Sequence, residues 1–233
     1  MKVEAIKAFS DNYIWVIEEK DEAVVVDPGE AKGVLGYLKR KNLKLKAILL
    51  THNHDDHTGG VFEILENYPE TPVYGPEETS AFSNSIVEEG DSFELLGERF
   101  DVIFTPGHTA GHISYVMRDG LFCGDALFSG GCGRVFTGDY EAQYQSLQKF
   151  KTLDNRVLVY AAHEYTETNL RFAQTIEPNN QTITDAFEVV IDYRSKDLPT
   201  LPSTISKEKD INLFLQAESL EQFRELRLKR DEF

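Results

Sequence analysis

The chain has 233 residues, of which 41% are hydrophobic, 27% charged and 11% aromatic, a composition typical of globular proteins that excludes disordered and fibrous classes. Its 24 basic and 40 acidic residues give a formal net charge of −16. Such a surface repels phosphate groups, so we expect no nucleic-acid partner and no anionic membrane partner. No apolar run approaches the roughly 20 residues that span a bilayer.

The N-terminal residues and the cysteines predict a cytoplasmic protein. Residues 1–7 contain a glutamate and are not followed by a long apolar region, so they do not resemble a signal peptide. Cys123 and Cys132 are the only cysteines. For a chain of this length, two free thiols in a reducing compartment are more typical than a single disulfide.

The first part of the chain is predicted to alternate between strands and helices. Turn-forming residues separate two β-rich segments, which indicates a hairpin, and the helical segment that follows has apolar residues at helical spacing. The predicted elements are a hairpin over residues 3–9 and 13–18, a strand over 23–26, a helix over 31–41, a buried strand over 47–50 and a helix over 61–68.

The middle of the chain is rich in strands, and the last third is helical. Strands are predicted over residues 73–74, 99–104, 113–117, 121–123 and 157–160, with a helix over 140–150. After residue 164 the pattern predicts helices over 168–176, 184–194 and 220–229 and no clear strand, with a proline-rich connector over 198–204. We therefore divide the chain into a domain of residues 1–165 and a helical domain of residues 166–233.

Three of the six histidines lie within six residues, directly after the predicted strand 47–50. Functional residues commonly collect at the carboxyl ends of strands in α/β proteins. In an extended segment, residues two apart point the same way, so His52 and His54 can share a metal ion. A turn into a helix would carry Asp56 and His57 toward a second point. Imidazole and carboxylate groups together suit zinc, iron or manganese.

Three more residues of the same ligand types each follow a predicted strand. His108 comes after strand 99–104, Asp125 after strand 121–123, and His163 after strand 157–160. A lone His-x-His pair is a weak signal and is more often a surface accident or a packed pair. The full His-x-His-x-Asp-His pattern with these three companions is specific, and it predicts a metal site.

This set of motifs resembles the metallo-β-lactamase superfamily over roughly residues 1–165. The resemblance implies an α+β protein, a metallo-β-lactamase-like αββα sandwich with a small C-terminal α-helical domain, and two divalent metal ions at the edge of the sandwich. Zinc is the first expectation for these ions, with iron or manganese as alternatives. The ligand set that the resemblance implies is His52, His54 and His108 for one ion, Asp56, His57 and His163 for the other, and Asp125 as the bridge between them.

Two neighbouring polar residues lie outside this ligand set. His112 matches a superfamily position that holds no metal, and we expect it to be a hydrogen-bonded structural histidine. Asp27 follows the strand 23–26 and precedes Pro28-Gly29. It could orient a ligand histidine or could equally well cap a turn.

Across nearly the whole chain, the resemblance narrows to glyoxalase II, the hydroxyacylglutathione hydrolases. Several of the segments that carry it lie in the helical tail, which most other branches of the superfamily lack. The full set of segments that carry the resemblance is Thr51–Gly60, Gly124–Arg134, His163–Thr166, Asn169–Ala173, Glu177–Asn180, Leu201–Thr204 and Lys229–Phe233.

The family hydrolyses S-D-lactoylglutathione, a step in methylglyoxal catabolism, by a bridging hydroxide at a dinuclear metal site, and the resemblance implies the same reaction here. The substrate contacts that it implies are Arg134, Phe136, Tyr165, Arg227 and Arg230. Phe136 stands where the family has a tyrosine, which puts one hydrogen bond to glutathione in doubt.

The charge pattern agrees with an anionic substrate. Glutathione carries two carboxylates, and an acidic protein must gather cations locally to bind it. The C-terminal residues Arg224, Arg227, Lys229 and Arg230 form such a group, although a solvated helix end would show the same pattern.

The main alternative is a glutathione persulfide dioxygenase with a mononuclear iron site. A nuclease of the same fold and a metal-stabilised binding module are less consistent with the charge and with seven intact ligand positions. We expect a monomer.

Overall fold

The computed structural model describes residues 1–233 and contains two six-stranded β-sheets. In each sheet, consecutive strands of the chain are neighbours. The first sheet comprises β1 (Lys2–Ala8), β2 (Asn12–Glu19), β3 (Glu22–Val26), β4 (Lys44–Leu49), β5 (Val73–Gly75) and β6 (Ser85–Ile86). The second comprises β7 (Ser92–Leu95), β8 (Glu98–Phe104), β9 (Ile113–Met117), β10 (Gly120–Gly124), β11 (Leu158–Ala161) and β12 (Ser203–Thr204).

Nine α-helices connect and cover the sheets. Three lie among the strands of the first sheet, one precedes β11, and the other five lie in the last third of the chain. They are α1 (Ala31–Lys41), α2 (Asp55–Thr58), α3 (Val61–Asn67), α4 (Tyr140–Lys151), α5 (Thr166–Ile176), α6 (Gln181–Ser195), α7 (Ile205–Ile211), α8 (Leu213–Gln216) and α9 (Leu220–Glu232). None of them is long and apolar enough to cross a membrane.

Strand β2 shows why the molecule has layers. Its side chains alternate between two hydrophobic cores, because successive residues of a strand point to opposite faces. Trp15 and Ile17 belong to the core that includes the second sheet, while Ile14 and Val16 face the core covered by α1. The strand is apolar on both faces because both faces are covered. These features confirm the predicted sandwich.

The helical tail shares a core with the second sheet. Leu147 and Phe150 of α4 belong to the same cluster as Phe214 and Phe223 of α8 and α9. Strand β12 also pairs with β11, where Val159 stands opposite Ser203. The prediction that the tail contains no strand was therefore wrong. Two residues at the end of a proline-rich connector carry no periodicity that could reveal a strand.

The structure confirms each helix and strand predicted from the sequence, with shifts of a few residues at the ends. Helix α1 spans the predicted residues, and it buries Val34 and Leu38 against the first sheet. The elements that the sequence did not indicate are short. They are β6, β7, β12, α7 and α8, each of seven residues or fewer. Cys123 and Cys132 are free and buried.

Candidate active site

The predicted metal ligands meet at one edge of the sandwich. Strands β8 and β10 are both antiparallel to β9, and β11 is parallel to β10, so these three strands end at the same edge of the second sheet. His108, Asp125 and His163 follow those ends. Thr51 to His57 follow β4 of the first sheet and lie beside them. The topology therefore explains why residues scattered over 112 positions converge.

One cluster of donor atoms is formed by His52, His54 and His108. The Nε2 of His52 lies 3.0 Å from the Nδ1 of His54, and the Nε2 of His108 lies 3.1 Å from that same Nδ1. His52 and His108 are buried and His54 is half-buried. The extended backbone of His54 places the side chains of His52 and His54 toward a common point, as their spacing predicts.

A second cluster is formed by Asp56, His57 and His163. The Oδ2 of Asp56 lies 3.5 Å from the Nε2 of His57 and 3.4 Å from the Nε2 of His163. Asp56 and His57 belong to the short helix α2, and the ring of His57 packs between the two clusters, with its centroid 4.1 Å from that of His52.

Asp125 joins the two clusters through its two oxygens. Its Oδ2 lies 3.4 Å from the Nε2 of His108, in the first cluster. Its Oδ1 lies 3.3 Å from the Nε2 of His57 and 3.3 Å from the Nε2 of His163, in the second. One carboxylate is thus shared between two sets of histidines, the arrangement expected of a bridging ligand.

The opposite ring nitrogen of each buried ligand histidine is held by another group. His108 Nδ1 lies 2.8 Å from the carbonyl oxygen of Arg134, and His163 Nδ1 lies 2.9 Å from Oδ1 of Asp11. His57 Nδ1 lies 3.1 Å from Oδ2 of Asp27. These acceptors place the ring proton on Nδ1, which leaves Nε2 as the free donor toward the clusters.

Asp27 orients two of the histidines. It accepts a hydrogen bond from His57 Nδ1 and another, of 2.7 Å, from the hydroxyl of Thr51. That hydroxyl lies 3.0 Å from Nδ1 of His52, and because its own proton is donated to Asp27, it accepts a hydrogen bond from the Nδ1–H of His52. Of the two roles that the sequence left open for Asp27, the structure favours orienting a ligand histidine.

His112 lies beside the clusters but points elsewhere. Its Nε2 accepts a hydrogen bond of 3.2 Å from the backbone N–H of Asp125, and its Nδ1 lies 2.9 Å from the hydroxyl of Thr105. Both ring nitrogens are used, so His112 is a structural histidine that supports the backbone of Asp125.

The electrostatic environment differs between the clusters. Burial lowers the pKa of His52 well below its ordinary value. Burial also acts to lower the pKa values of His57 and His163, but neighbouring carboxylates together outweigh it and raise both: Asp125 and Asp27 for His57, and Asp125, Asp56 and Asp11 for His163. Asp125 itself has a pKa held well below its usual range, since the two histidines outweigh the effect of its burial. The second cluster therefore has a field that favours positive charge.

The donor set fits a pair of divalent metal ions. Bonds of about 2.0–2.1 Å in a tetrahedral site give donor-to-donor separations of roughly 3.3 Å, close to those within both clusters. The Nε2 of His57 and the Oδ1 of Asp125 are buried and have no hydrogen-bond partner. Such unpaired buried atoms are costly unless a ligand satisfies them. The five imidazoles could each supply one bond, and the two carboxylates one or two.

A cavity of about 250 Å³ lies next to the second cluster. Tyr165 lines it and stacks on the ring of His163 with centroids 4.7 Å apart. Phe128 also lines it and contacts His163 edge-on. The lining combines aromatic, polar and cationic groups: Phe128, Cys132, Arg134, Tyr165, Asn169, Arg227, Arg230 and Asp231.

The three arginines of this cavity differ in their burial and in their hydrogen-bond partners. Arg227 is buried; its Nη1 donates 2.7 Å to the carbonyl of Cys132 and its Nη2 donates 2.9 Å to Asp231. Arg134 is more than half exposed and pairs with Asp231 at 3.3 Å. Burial, together with the charge of Arg227, lowers the pKa of Arg230, which makes only long contacts of 3.3–3.4 Å to Asn169. Arg134 and Arg230 are therefore the arginines best able to turn toward an anion.

Phe136 is the one predicted substrate contact that the structure does not bring into this cavity. Its ring is 64% exposed and lies edge-on against His54 and His108, with centroids 5.7 and 5.3 Å away. It therefore borders the first cluster. Of the remaining basic residues of the C-terminal group, Lys229 pairs with Glu225, and Arg224 lies over the ring of Tyr140.

Sequence reasoning did not identify several residues that shape the site. Asp11 and Thr51 orient ligand histidines, and Asp231 pairs with two cavity arginines. Thr51 directly precedes the histidine motif and Asp231 follows Arg230, so proximity to the motifs could have indicated both. The contact of Asp11 with His163 spans 152 positions, and no local pattern could have indicated it.

The first two thirds of the chain match a known superfamily. Residues 9–163 match the family model of the metallo-beta-lactamase superfamily. The chain is also similar to a solved structure, ETHE1 from Myxococcus xanthus, with a TM-score of 0.75 and 26% identity, covering 98% of this chain and 90% of that one. The protein belongs to the metallo-β-lactamase superfamily, as the sandwich and the clustered histidines at its edge indicate.

The particular family follows from the tail and from full-length relatives. Residues 164–233 match the model of the hydroxyacylglutathione hydrolase C-terminus. The chain is 50% identical to the hydroxyacylglutathione hydrolase of Glaesserella parasuis serovar 5 (strain SH0165) and 48% identical to that of Haemophilus ducreyi (strain 35000HP / ATCC 700724). Each alignment covers the full length of both proteins. Within the superfamily, the chain belongs to the hydroxyacylglutathione hydrolase family.

Proposed function

We propose that the protein hydrolyses S-D-lactoylglutathione to D-lactate and glutathione, with two zinc ions as its cofactors. The observation that carries this proposal is the position of a cationic cavity directly beside a dinuclear set of donors. Tyr165 and Phe128 line the cavity and contact His163 of the second cluster. A glutathione moiety in the cavity would therefore have its thioester next to the metal centre.

His52, His54 and His108 would hold one ion, Asp56, His57 and His163 the other, and Asp125 both. When bound, such a pair of ions supplies a hydroxide nucleophile at neutral pH and polarises a carbonyl group. Iron or manganese would fit the same nitrogen and oxygen donors.

The residues of the chain fix the geometry of the reaction. Asp27 and Thr51 hold the rings of His57 and His52 in one orientation. Arg134 and Arg230 attract the carboxylates of glutathione into the cavity, and Tyr165 lines the cavity with its ring stacked on His163. A thiol leaving group has a pKa near 8.5 and can depart as a thiolate, so the mechanism requires no strong general acid.

The alternatives from the sequence receive less support. A persulfide dioxygenase with one iron would need one set of donors, whereas Asp125 faces two. A nuclease would need a basic surface, but the chain has a net charge of −16.

The proposal includes a monomeric, cytoplasmic enzyme. Both cysteines are free, which is typical of a reducing compartment. Light scattering coupled to gel filtration would test the monomer: a molar mass near twice 26.5 kDa would contradict it.

The activity is tested by the hydrolysis of S-D-lactoylglutathione and of lactoyl-coenzyme A, each before and after chelation. We expect cleavage of the glutathione thioester that a chelator abolishes and added zinc restores, with much slower cleavage of the coenzyme A thioester. Equal rates for the two thioesters would contradict the role of the cavity. No cleavage by the zinc-loaded protein would contradict the proposed reaction itself.

A further inference from the structure

The loop Phe128–Gly131, here called the glycine loop, links the metal centre to the cavity. Asp125 lies three residues before it and Arg134 three residues after it. Its first residue, Phe128, contacts both His163 and Tyr165. Just beyond the loop, the N–H of Gly133 donates 3.0 Å to the carbonyl of Asp125. A displacement of this loop would therefore move the bridging carboxylate and the cavity together.

The loop is held by a buried carboxylate of the tail, Glu208 of α7. Its Oε1 accepts hydrogen bonds from the hydroxyls of Ser129, at 2.8 Å, and Ser203. Its Oε2 accepts from the N–H of Gly130 at 2.8 Å and from Asn212 at 3.2 Å. Glu208 is fully buried and forms no ion pair. Burial raises the pKa of its carboxyl group.

Two asparagines of the tail also form hydrogen bonds to the glycine loop. The Nδ2 of Asn212 donates to the carbonyls of Phe128 and Gly131, at 3.1 and 2.9 Å. The Nδ2 of Asn169 donates 3.1 Å to the carbonyl of Ser129. Asn169, Glu208 and Asn212 are all buried. Each residue of the glycine loop therefore has a backbone or side-chain group bonded to the tail.

A buried carboxylate without a cation is an expensive way to stabilise a fold, because an apolar side chain of similar volume would avoid the loss of solvation. Its hydrogen bonds do what apolar packing cannot: they fix one conformation of a loop that has a glycine at φ +70°, Gly130. This geometry indicates a role in positioning rather than in stability.

We infer that Glu208 is a positioning residue, which holds the glycine loop so that Asp125 and Arg134 keep a fixed relation to each other. The helical tail then organises the metal centre as well as lining the cavity. The part of this inference that concerns substrate rests on the proposed thioesterase activity, and the part that concerns metal does not.

The four groups that donate hydrogen bonds to Glu208 indicate which substitutions will test its positioning role. Hydroxyls can donate or accept, so a glutamine can turn its oxygen toward Gly130 and Asn212 and its NH₂ toward the two serines. Glu208→Gln should therefore keep the loop in place. Glu208→Met has a similar length and removes both acceptors. Thr204→Ala is the matched control, since Thr204 caps the same helix by accepting 3.0 Å from the N–H of Lys207 and does not contact the loop.

The measurements are kcat, KM, thermal stability and the rate at which a chelator removes zinc from the zinc-loaded protein. In Glu208→Met, we expect zinc to leave about tenfold faster, with kcat lowered and KM raised together. Glu208→Gln should keep the rate of zinc release, kcat and KM near their wild-type values. Thr204→Ala should melt at a lower temperature with wild-type kinetics and zinc release.

Three outcomes would overturn the inference: wild-type zinc release in Glu208→Met, equal losses in Thr204→Ala, or no rescue by glutamine. If the methionine variant does not fold, Glu208→Asp carries the same test, because it keeps the charge and withdraws both oxygens from the loop. Zinc release needs no substrate, so it still decides the inference if the wild-type protein fails to cleave the glutathione thioester.

Discussion

The metal centre and the neighbouring cavity are built in different ways. The centre takes its side chains from the ends of four strands in two sheets, and each buried ligand ring is fixed by a second hydrogen bond. The cavity is built from one loop and the helical tail, and its arginines range from the buried Arg227 to Arg134, whose side chain is 55% exposed.

This difference separates the chemistry of the enzyme from its choice of substrate. The packed core fixes the positions of ligands that follow strand ends, so the geometry of the metal centre is precise. Side chains on a loop and a terminal helix can change with less effect on the fold. Substitutions in the centre should therefore lower kcat and metal content, and those in the cavity should mainly raise KM.

The largest effect is expected from removing the bridge. Asp125→Ala takes one oxygen from each cluster, so we expect loss of bound metal and a fall in kcat of about 10²- to 10³-fold. Elemental analysis and thioester hydrolysis measure the two effects. Full activity at full metal occupancy in this variant would contradict the shared-carboxylate model of the centre.

Next comes the residue that orients the ligand rings. Asp27 has φ +50°, a conformation that asparagine tolerates, so Asp27→Asn tests the hydrogen bonds with little backbone strain. Asp27 accepts from the N–H of Thr51 at Oδ1 and from His57 and the Thr51 hydroxyl at Oδ2, whereas an asparagine has one oxygen and cannot accept at both positions. We therefore expect metal affinity to fall about 10- to 100-fold. Competition with a chelator measures this. Unchanged affinity would mean that the cores alone hold the two rings.

Within the cavity, Arg230 and Arg227 form an informative pair. Arg230→Gln removes a charge with few firm contacts, so KM should rise about tenfold, as expected for the loss of a charge-assisted hydrogen bond, with little change in thermal stability. Arg227→Gln should raise KM and also lower the melting temperature, because its guanidinium ties α9 to Cys132. A fall in kcat at unchanged KM in Arg230→Gln would argue against a role in substrate binding.

The smallest effect is expected at Phe136. Since its ring borders the first cluster and lies outside the cavity lining, Phe136→Tyr should lower KM by no more than about threefold, within the net value of one exposed hydrogen bond. Steady-state kinetics on S-D-lactoylglutathione measures it. A tenfold or larger drop would place the glutathione moiety nearer the first cluster than the cavity suggests.

The metal centre was largely predictable from the sequence. His52 and His54 are two apart in an extended segment, and His108, Asp125 and His163 each follow a strand that could be recognised by its apolar residues. Strand order and direction then bring these ends together. The fold was predictable for the same reason, since apolar periodicity marks the longer elements, whereas two-residue strands such as β12 carry no periodicity.

The supporting contacts were not predictable in this way. Glu208 bonds to Ser129 across 79 positions, and Asp11 bonds to His163 across 152. Such pairs depend on how the tail and the first hairpin pack on the sandwich. The burial of Arg227 was not predictable either. Helical spacing places Arg227 beside Arg230, but its burial against Phe214 and Cys132 follows only from the packing of α9.

In the proposed enzyme, Asp125 joins two metal sites beside a glutathione cavity. Crystals of the protein loaded with zinc and soaked with glutathione, measured across the zinc absorption edge, test it most directly. We expect two anomalous peaks, one among His52, His54 and His108 and one among Asp56, His57 and His163, with an Asp125 oxygen on each and glutathione beside Tyr165. A single peak, or glutathione bound away from this cavity, would contradict it.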